Sequence, residues 1–331
     1  MDLVKDILLL VIGFVLLVKG ADFFVDGSSA VAKLLKIPSI IVGLTIVAMG
    51  TSLPELAVSL TAAVNGSNEI AVSNVVGSNI FNLIVALGVC AVLSPITVDK
   101  GIVKREFPFS IIMTVLVAVL MADNFLPLAA EVKSQKVENC VGMLGRMDGL
   151  ILLVFFIAFM VYTVLTALNQ RKNMTQQEED DKKPNVLLAI IFIVGGVAAI
   201  KFGGEFVVNS ASSIAKRIGM TDTLVGLTIV SIGTSLPELV TSVVAAKKGE
   251  TGLAVGNVVG SNIFNLLLIL GVSSAIHPII VGMDALIDFV ILSVTSILVY
   301  IFTRSKNVIN RGEGIIMVLI YAAYMIYAII R

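Results

Sequence analysis

Apolar residues are grouped along the chain into ten segments, each long enough to cross a lipid bilayer as a helix. A spanning helix needs about 20 mostly apolar residues, and polar stretches separate the segments. The pattern therefore predicts an all-α membrane protein with ten transmembrane helices. The predicted spans are residues 5–32, 39–63, 69–94, 107–126, 148–168, 186–215, 222–246, 252–276, 284–303 and 313–330.

The second half of the chain repeats the first at an offset of 183 residues, as in Glu238 against Glu55. Between residues 71–89 and 254–272, 15 of 19 positions are identical. Five spans per copy is an odd number, so the second copy should enter the membrane with the opposite orientation, as in many secondary transporters. We expect two inverted five-helix repeats, which are residues 1–168 and 186–331, joined by a cytoplasmic linker over 169–185.

Lysine and arginine residues are distributed unequally over the predicted loops. If the N-terminus lies outside, the inner segments hold 14 of them and the outer segments hold seven. Cytoplasmic loops carry an excess of these residues in membrane proteins. The bias predicts that both termini lie outside a cell membrane and that the linker, with its acidic run 178–181, is a solvated cytoplasmic segment.

The composition supports a membrane protein and argues against other classes. Hydrophobic residues make up 57% of the chain and charged residues 14%, with a mean hydropathy of +1.03. A soluble domain carries about 25% charged residues. The net charge is zero, so no nucleic-acid partner is indicated, and no protein partner is evident. One histidine and no nucleophile motif argue against an enzyme, and no prosthetic group is expected.

Two carboxylates fall inside predicted spans, each in a copy of the same motif. The motif reads Gly-Thr-Ser-Leu-Pro-Glu at residues 50–55 and again at residues 233–238. An ionisable residue in a span is costly and is a functional-site hypothesis by default. The alternative for Glu55 and Glu238 is a buried carboxyl that shares a proton or ties helices together.

A proline precedes each of these glutamates. Pro54 and Pro237 have no N–H to donate, and their rings clash with the carbonyl four residues back, at Gly50 and Gly233. Irregular backbone is tolerated in a membrane only where it is buried or lines a cavity. The prolines therefore predict broken helices whose carbonyl oxygens, at residues 48–50 and 231–233, can face a cation. We expect helices 2, 3, 7 and 8, at the core of the protein, to be broken.

Neutral oxygen-bearing side chains lie close to each glutamate in sequence. Thr51 and Ser52 precede Glu55 by four and three residues, a spacing that allows one helix face. Oxygen-only sites suit Ca2+, Mg2+ or Na+, whereas zinc and copper prefer softer ligands. The alternative for any single serine or asparagine is a bond between helices. The groups spaced by four on the next helix are Asn74, Ser78 and Asn82, repeated as Asn257, Ser261 and Asn265.

These paired motifs resemble the alpha-repeats of the sodium/calcium exchanger family, within the cation/calcium antiporters. The motif regions are about residues 39–94 and 222–276. The resemblance implies that the glutamates bind Ca2+ and Na+ in turn, with help from hydroxyl, amide and backbone oxygens. The implied cation ligands are Ala48, Thr51, Ser52, Glu55, Ser78 and Asn82, and in the second copy Ser231, Thr234, Ser235, Glu238, Ser261 and Asn265.

The resemblance also bears on the coupling ion. Relatives that depend on K+ carry Asp where this chain has Asn265, which argues against K+ dependence. The proton-coupled branch carries Gly-Asn-x-x-Glu where this chain has Leu-Pro-Glu, which favours Na+ over H+. We expect a secondary antiporter that exchanges Ca2+ for Na+. The alternatives are a Ca2+/H+ antiporter and a cation channel, which would conduct Ca2+ without a counter-gradient.

Overall fold

The computed structural model describes residues 2–66, 68–122, 140–174, 184–221 and 225–330, and most of them are helical. Short strands form two small sheets beside the helices. The helices are α1 (Asp2–Leu35), α2 (Ser39–Thr51), α3 (Leu53–Val64), α4 (68–93), α5 (Lys100–Lys104), α6 (Glu106–Leu120), α7 (Arg146–Met174), α8 (Val186–Arg217), α9 (226–234), α10 (Leu236–Lys247), α11 (Thr251–Ile276), α12 (Met283–Lys306) and α13 (Arg311–Ile330).

The chain is a multi-pass membrane protein. Within the described ranges, seven helices are long and apolar enough to cross a bilayer. Two bent pairs, α2 with α3 and α9 with α10, meet the same criteria when each pair is taken together, so up to nine spans are found. The predicted fourth span corresponds to α6, which has only 15 residues. A helix of that length is shorter than the 20 residues that usually cross a bilayer.

Two long helices, α1 and α8, pack against each other through glycines. A Cβ atom at Gly203 would lie 2.7 Å from the backbone nitrogen of Leu17, and one at Gly20 would lie 2.9 Å from that of Ile200. Small residues let helix backbones approach closely in membrane proteins. Arg217 and Ser213 of α8 also contact Asp6 of α1, at 3.4 and 2.7 Å. The two helices therefore form one tightly packed pair.

The centre of the protein is formed by α4 and α11. Of their most apolar windows, 83% and 94% is buried, against 22% for α7 and 11% for α13. Close backbone packing holds α11 against α2, since a Cβ at Gly256 would lie 2.5 Å from the carbonyl oxygen of Ile40. The motif helices are thus surrounded by protein, while α7 and α13 expose their apolar side chains.

The prediction that helices 3 and 8 are broken is wrong. These helices, α4 and α11, run through without a sharp bend. Each contains instead one π-helical turn, at Phe81–Ala86 in α4 and Asn265–Ile269 in α11. Neither helix has a proline in its interior, so no backbone N–H is missing and the helix widens rather than breaks.

The structure also differs from a purely α-helical fold. Strand β1 (Ile96–Thr97) pairs with β4 (Val308–Ile309), and β2 (Cys140–Leu144) pairs with β3 (Ile279–Gly282), both antiparallel. A proline disfavours helical backbone at the residue before it and favours an extended conformation there. Ser94 and His277, each followed by a proline, have φ of −151° and −139°, and they end their helices at these points.

Some helices end at residues other than those predicted. The fourth span, predicted for residues 107–126, ends at Leu120, and α7 continues to Met174, so the first six residues of the predicted linker are helical. The rest of that linker up to residue 183, and residues 123–139, lie outside the described ranges. Residues 222–224 of the predicted seventh span also lie outside them.

Candidate cation site

The two broken helices place the repeated motifs at the centre of the fold. The bend between α2 and α3 is 49° and the bend between α9 and α10 is 52°. The hinge residues Ser52 and Ser235 have ψ near zero, at 7° and 3°. Pro54 and Pro237 follow two residues later, inside the first turn of the new helix, where a missing N–H is tolerated. The predicted breaks in helices 2 and 7 are present.

Each glutamate is held by a hydroxyl from the opposite half of the chain. Ser52 donates a hydrogen bond to Oε1 of Glu238 at 2.9 Å, and Ser235 donates to Oε1 of Glu55 at 3.3 Å. Both glutamates are 0% exposed. Thr51 ends α2, Ser52 is the hinge and Glu55 belongs to α3, so the three residues do not lie on one straight helix.

The threonines of the motifs also reach across the two halves. Thr51 donates to Oδ1 of Asn257 at 3.0 Å and lies 3.4 Å from the hydroxyl of Ser261. Thr234 donates to Oδ1 of Asn74 at 3.4 Å. These contacts link α2 to α11 and α9 to α4. The motif of one half is thus supported by the helix that follows the motif of the other half.

The following helix supplies a second hydroxyl to each carboxylate within its own half. Ser78 donates to Oε1 of Glu55 and Ser261 donates to Oε1 of Glu238, both at 3.4 Å. Each carboxylate oxygen Oε1 therefore accepts two hydroxyl donors, one from each half. The second oxygen, Oε2, has no hydrogen-bond partner in either glutamate among the described residues.

A serine outside the predicted ligand set supports each asparagine stripe. Asn74 donates to the backbone carbonyl of Glu55 at 3.2 Å and to Ser59 at 3.0 Å. Asn257 donates to the carbonyl of Glu238 at 3.3 Å and to Ser242 at 2.9 Å. Sequence reasoning missed both serines. Their position four residues after each glutamate, one turn along the helix, was the available signal.

The remaining predicted ligands differ in their surroundings. Asn82 and Asn265 are both 0% exposed. Asn265 donates to Asn79, whereas neither amide atom of Asn82 has a hydrogen-bond partner in the described part of the chain. The carbonyl of Ala48 accepts from Ser52 N–H at 3.0 Å and lies 3.3 Å from the Thr51 hydroxyl oxygen. The carbonyl of Ser231 lies 3.4 Å from the Thr234 hydroxyl oxygen.

The arrangement joins two carboxylates to many neutral oxygens. No cluster of three or more His, Cys, Asp or Glu side chains occurs in the described ranges, so the site does not resemble a zinc or iron centre. Buried charges need a partner, and a hard cation can supply one to both carboxylates together. The unpartnered Oε2 atoms of Glu55 and Glu238 are the oxygens available for such a cation.

Comparison with known proteins agrees with this chemistry. A family model described as sodium/calcium exchanger protein matches residues 5–165 and 188–330. The putative antiporter CaxA of Alkalimonas amylolytica is 39% identical over 330 residues, covering 97% of this chain and 98% of that protein. The sodium/calcium exchanger MaX1 of Methanosarcina acetivorans is 33% identical, with 97% of each chain covered.

A solved structure has a similar fold. The sodium-calcium exchanger NCX_Mj, from a crystal soaked with 10 mM Na+ and zero Ca2+, superimposes with a TM-score of 0.80 and 30% sequence identity. The superposition covers 99% of this chain and 98% of that one. The likeness extends over both halves and includes the motif helices.

Proposed function

Since the chain belongs to the sodium/calcium exchanger family, we propose that it exchanges Ca2+ for Na+ by alternating access to the site between its two halves. The observation that carries the proposal is the reciprocal pairing of Ser52 with Glu238 and of Ser235 with Glu55. This pairing brings one carboxylate from each half into a single oxygen-rich cluster.

The charge of the cluster provides a reason for coupled exchange. Two ionised carboxylates carry a charge of minus two, which one Ca2+ balances. Moving an uncompensated charge through the centre of a bilayer costs at least roughly 2.5–3.5 kcal/mol. The carrier should therefore reorient only when it holds Ca2+ or the Na+ ions that replace it. Ca2+ is coordinated by six to eight oxygens in flexible geometry, which this cluster can supply.

The proposed membrane arrangement has ten spans in two inverted repeats. It counts α6 as a short span and each bent pair as one span, and it places both termini outside and the linker in the cytoplasm. The cation site then lies near the bilayer midplane, where the two repeats meet, as in many secondary transporters. We propose that the closely packed pair α1 and α8 moves relative to the other helices to switch access.

Na+-gradient-driven uptake of 45Ca2+ into proteoliposomes tests the proposal. Wild-type protein should take up Ca2+ when vesicles are loaded with Na+, and Glu55→Gln and Glu238→Gln should each reduce uptake to background. Glu250→Gln, which changes a carboxylate at the start of α11 away from the site, is the matched control and should retain uptake.

Three outcomes would contradict this account. Uptake by both glutamine variants at the wild-type rate would show that the site is assigned wrongly. Uptake driven by a pH gradient and indifferent to Na+ would show a Ca2+/H+ antiporter. Equal Ca2+ flux with and without a counter-gradient would show a channel.

A further inference from the structure

Four buried asparagines lie together where α4 meets α11. They are Asn79 and Asn82 of α4 and, at the 183-residue offset, Asn262 and Asn265 of α11, and none is more than 1% exposed. Asn79 donates to the backbone carbonyl of Asn262 at 3.3 Å, and Asn262 donates to the backbone carbonyl of Asn79 at 3.2 Å. The two halves are therefore joined by a reciprocal pair of hydrogen bonds from side-chain amides to backbone carbonyls.

The orientation of the Asn79 and Asn265 side-chain amides follows from the backbone carbonyl of Asn262. A backbone carbonyl can only accept, so the atom that Asn79 turns to Asn262 must be its nitrogen. The oxygen of Asn79 then faces Asn265, at 3.0 Å, and it too can only accept. Asn265 must therefore present its own nitrogen to Asn79. Its oxygen is left on the other side, buried and without a hydrogen-bond partner among the described residues.

The position of Asn265 connects this orientation to the site. It lies one helical turn after Ser261, whose hydroxyl donates to Glu238. An asparagine can bind a cation only through its oxygen, because the amide nitrogen carries two hydrogens and no lone pair for a metal. A reversed Asn265 would present a donor where a ligand is needed.

We propose that Asn79 is a positioning residue, which holds the nitrogen of Asn265 so that its oxygen serves as a cation ligand. This inference rests on the proposed function, since it assumes that a cation binds between Glu55 and Glu238. Groups that orient a metal ligand through a hydrogen bond typically influence metal affinity by 10- to 100-fold when they are removed, as a rough guide.

The matching contact in the other half is not formed. By the same offset, Asn262 should hold the nitrogen of Asn82 through its own oxygen. In the described residues, the Asn262 oxygen and both amide atoms of Asn82 have no hydrogen-bond partner. The orienting contact therefore exists on one side only, which makes Asn262 the natural comparison for Asn79.

The first test measures the KM for Ca2+ and the maximal rate of Na+-dependent exchange in proteoliposomes. Asn79→Leu, which keeps the volume but removes both hydrogen-bonding atoms, should raise the KM about tenfold or more, with a smaller change in maximal rate. Asn79→Asp keeps an oxygen that accepts from the Asn265 amide but loses the donor to the Asn262 carbonyl, so its KM should lie between those of wild type and Asn79→Leu. Asn262→Leu breaks the equivalent hydrogen bond to the backbone. The rise in KM that it causes should be several-fold smaller than the rise caused by Asn79→Leu.

A double-mutant cycle separates positioning from mere packing. A carboxylate presents an oxygen whichever way it is turned, so in the Asn265→Asp background the further change Asn79→Leu should not raise the KM. An equal rise in both backgrounds, or an Asn79→Asp variant as weak as Asn79→Leu, would overturn the inference. Failure of the wild-type protein to exchange Ca2+ for Na+ would instead remove the proposed function, so the two failures are distinguishable.

Discussion

The two halves of the chain make closely similar contacts at the candidate cation site and differ in the cavities beside it. A cavity of about 650 Å3 lies against α3 and α8, and a smaller one of about 410 Å3 lies against α1 and α10. Five residues of each lining correspond at the 183-residue offset. The smaller cavity is lined by Val18, Asp22, Leu239, Val240 and Val243, and the larger by the matching Lys201, Glu205, Leu56, Ala57 and Leu60.

One of the sequence differences beside the smaller cavity is Lys248. Lys248 lines that cavity and contacts Asp26 at 2.7 Å and Asp22 at 3.5 Å, so it ties the end of α10 to α1. The matching residue in the first half is Asn65, which does not line the larger cavity. With the proposed topology, Lys248 lies on the cytoplasmic side. The two halves thus keep both glutamates and most of the oxygen-bearing side chains of the motifs, whereas several residues beside the two cavities differ.

The helix pair α1–α8 is a feature in which the two halves are alike, and changes there should have the largest effect, because they act on both folding stability and transport. Gly203→Ala and Gly20→Ala each place a Cβ within 3 Å of the opposite backbone, so α1 and α8 must separate. We expect each to lower the free energy of unfolding by about 1–3 kcal/mol, measured as a lower thermal midpoint in detergent, and to reduce Ca2+ uptake.

Gly204 provides the control for this prediction. It neighbours Gly203 on α8, but a Cβ there would have no atom within 4 Å. Gly204→Ala should leave both the thermal midpoint and uptake close to wild type. Equal thermal midpoints for the Gly203 and Gly204 variants would contradict the packing described for this pair.

The serine hinges should show an intermediate effect that differs between the halves. Ser52 lies 2.9 Å from Glu238, whereas Ser235 lies 3.3 Å from Glu55. A hydrogen bond to a charged group contributes about 1.5–3 kcal/mol, so Ser52→Ala should raise the KM for Ca2+ about tenfold or more. Ser235→Ala should raise it less.

Ser274→Ala is the matched control for the hinges, because among the described residues that buried hydroxyl finds its acceptors in carbonyls of its own helix. Its KM for Ca2+ should stay near the wild-type value. A Ser235→Ala effect larger than that of Ser52→Ala would contradict the asymmetry between the two hinges.

The Lys248 contacts should show the smallest effect. Lys248 and Asp22 are about one-third exposed and Asp26 is half exposed, and pairs of this kind contribute at most about 1 kcal/mol. In oriented proteoliposomes, Lys248→Met should change the ratio of the Ca2+ KM values from the two faces by no more than about fivefold.

Lys19→Met is the control, since Lys19 contacts only Asp22 of its own helix among the ion pairs found, at 3.7 Å. It should leave the ratio of KM values unchanged. Salt should weaken the Lys248 effect, because screening reduces the attraction between exposed charges. If Lys19→Met changed the ratio of KM values as much as Lys248→Met, the contact between α10 and α1 could not be the cause of the change.

Local sequence rules predicted much of the fold and only part of the site. Pro54 and Pro237 revealed the broken helices, because a missing N–H acts within one turn of the chain. The partners of Ser52 and Ser235 could not be predicted in this way. Each serine bonds to a residue about 180 positions away, and its direction depends on how a 49° or 52° bend turns the hydroxyl.

The asparagines give a second example. The spacing of four that placed Asn82 and Asn265 on the ligand stripes applies equally to both halves. The structure distinguishes them. Asn265 donates a hydrogen bond to Asn79, whereas neither side-chain amide atom of Asn82 has a hydrogen-bond partner in the described ranges. Differences of this kind arise from how the two repeated halves pack together, and the sequence of one half does not contain that information.

Anomalous diffraction from crystals grown with Ca2+ tests the central claim most directly. We expect a Ca2+ peak with carboxylate oxygens of both Glu55 and Glu238 at about 2.3–2.6 Å. Ca2+ peaks that each contact only one of the two glutamates, or a peak distant from both, would contradict it.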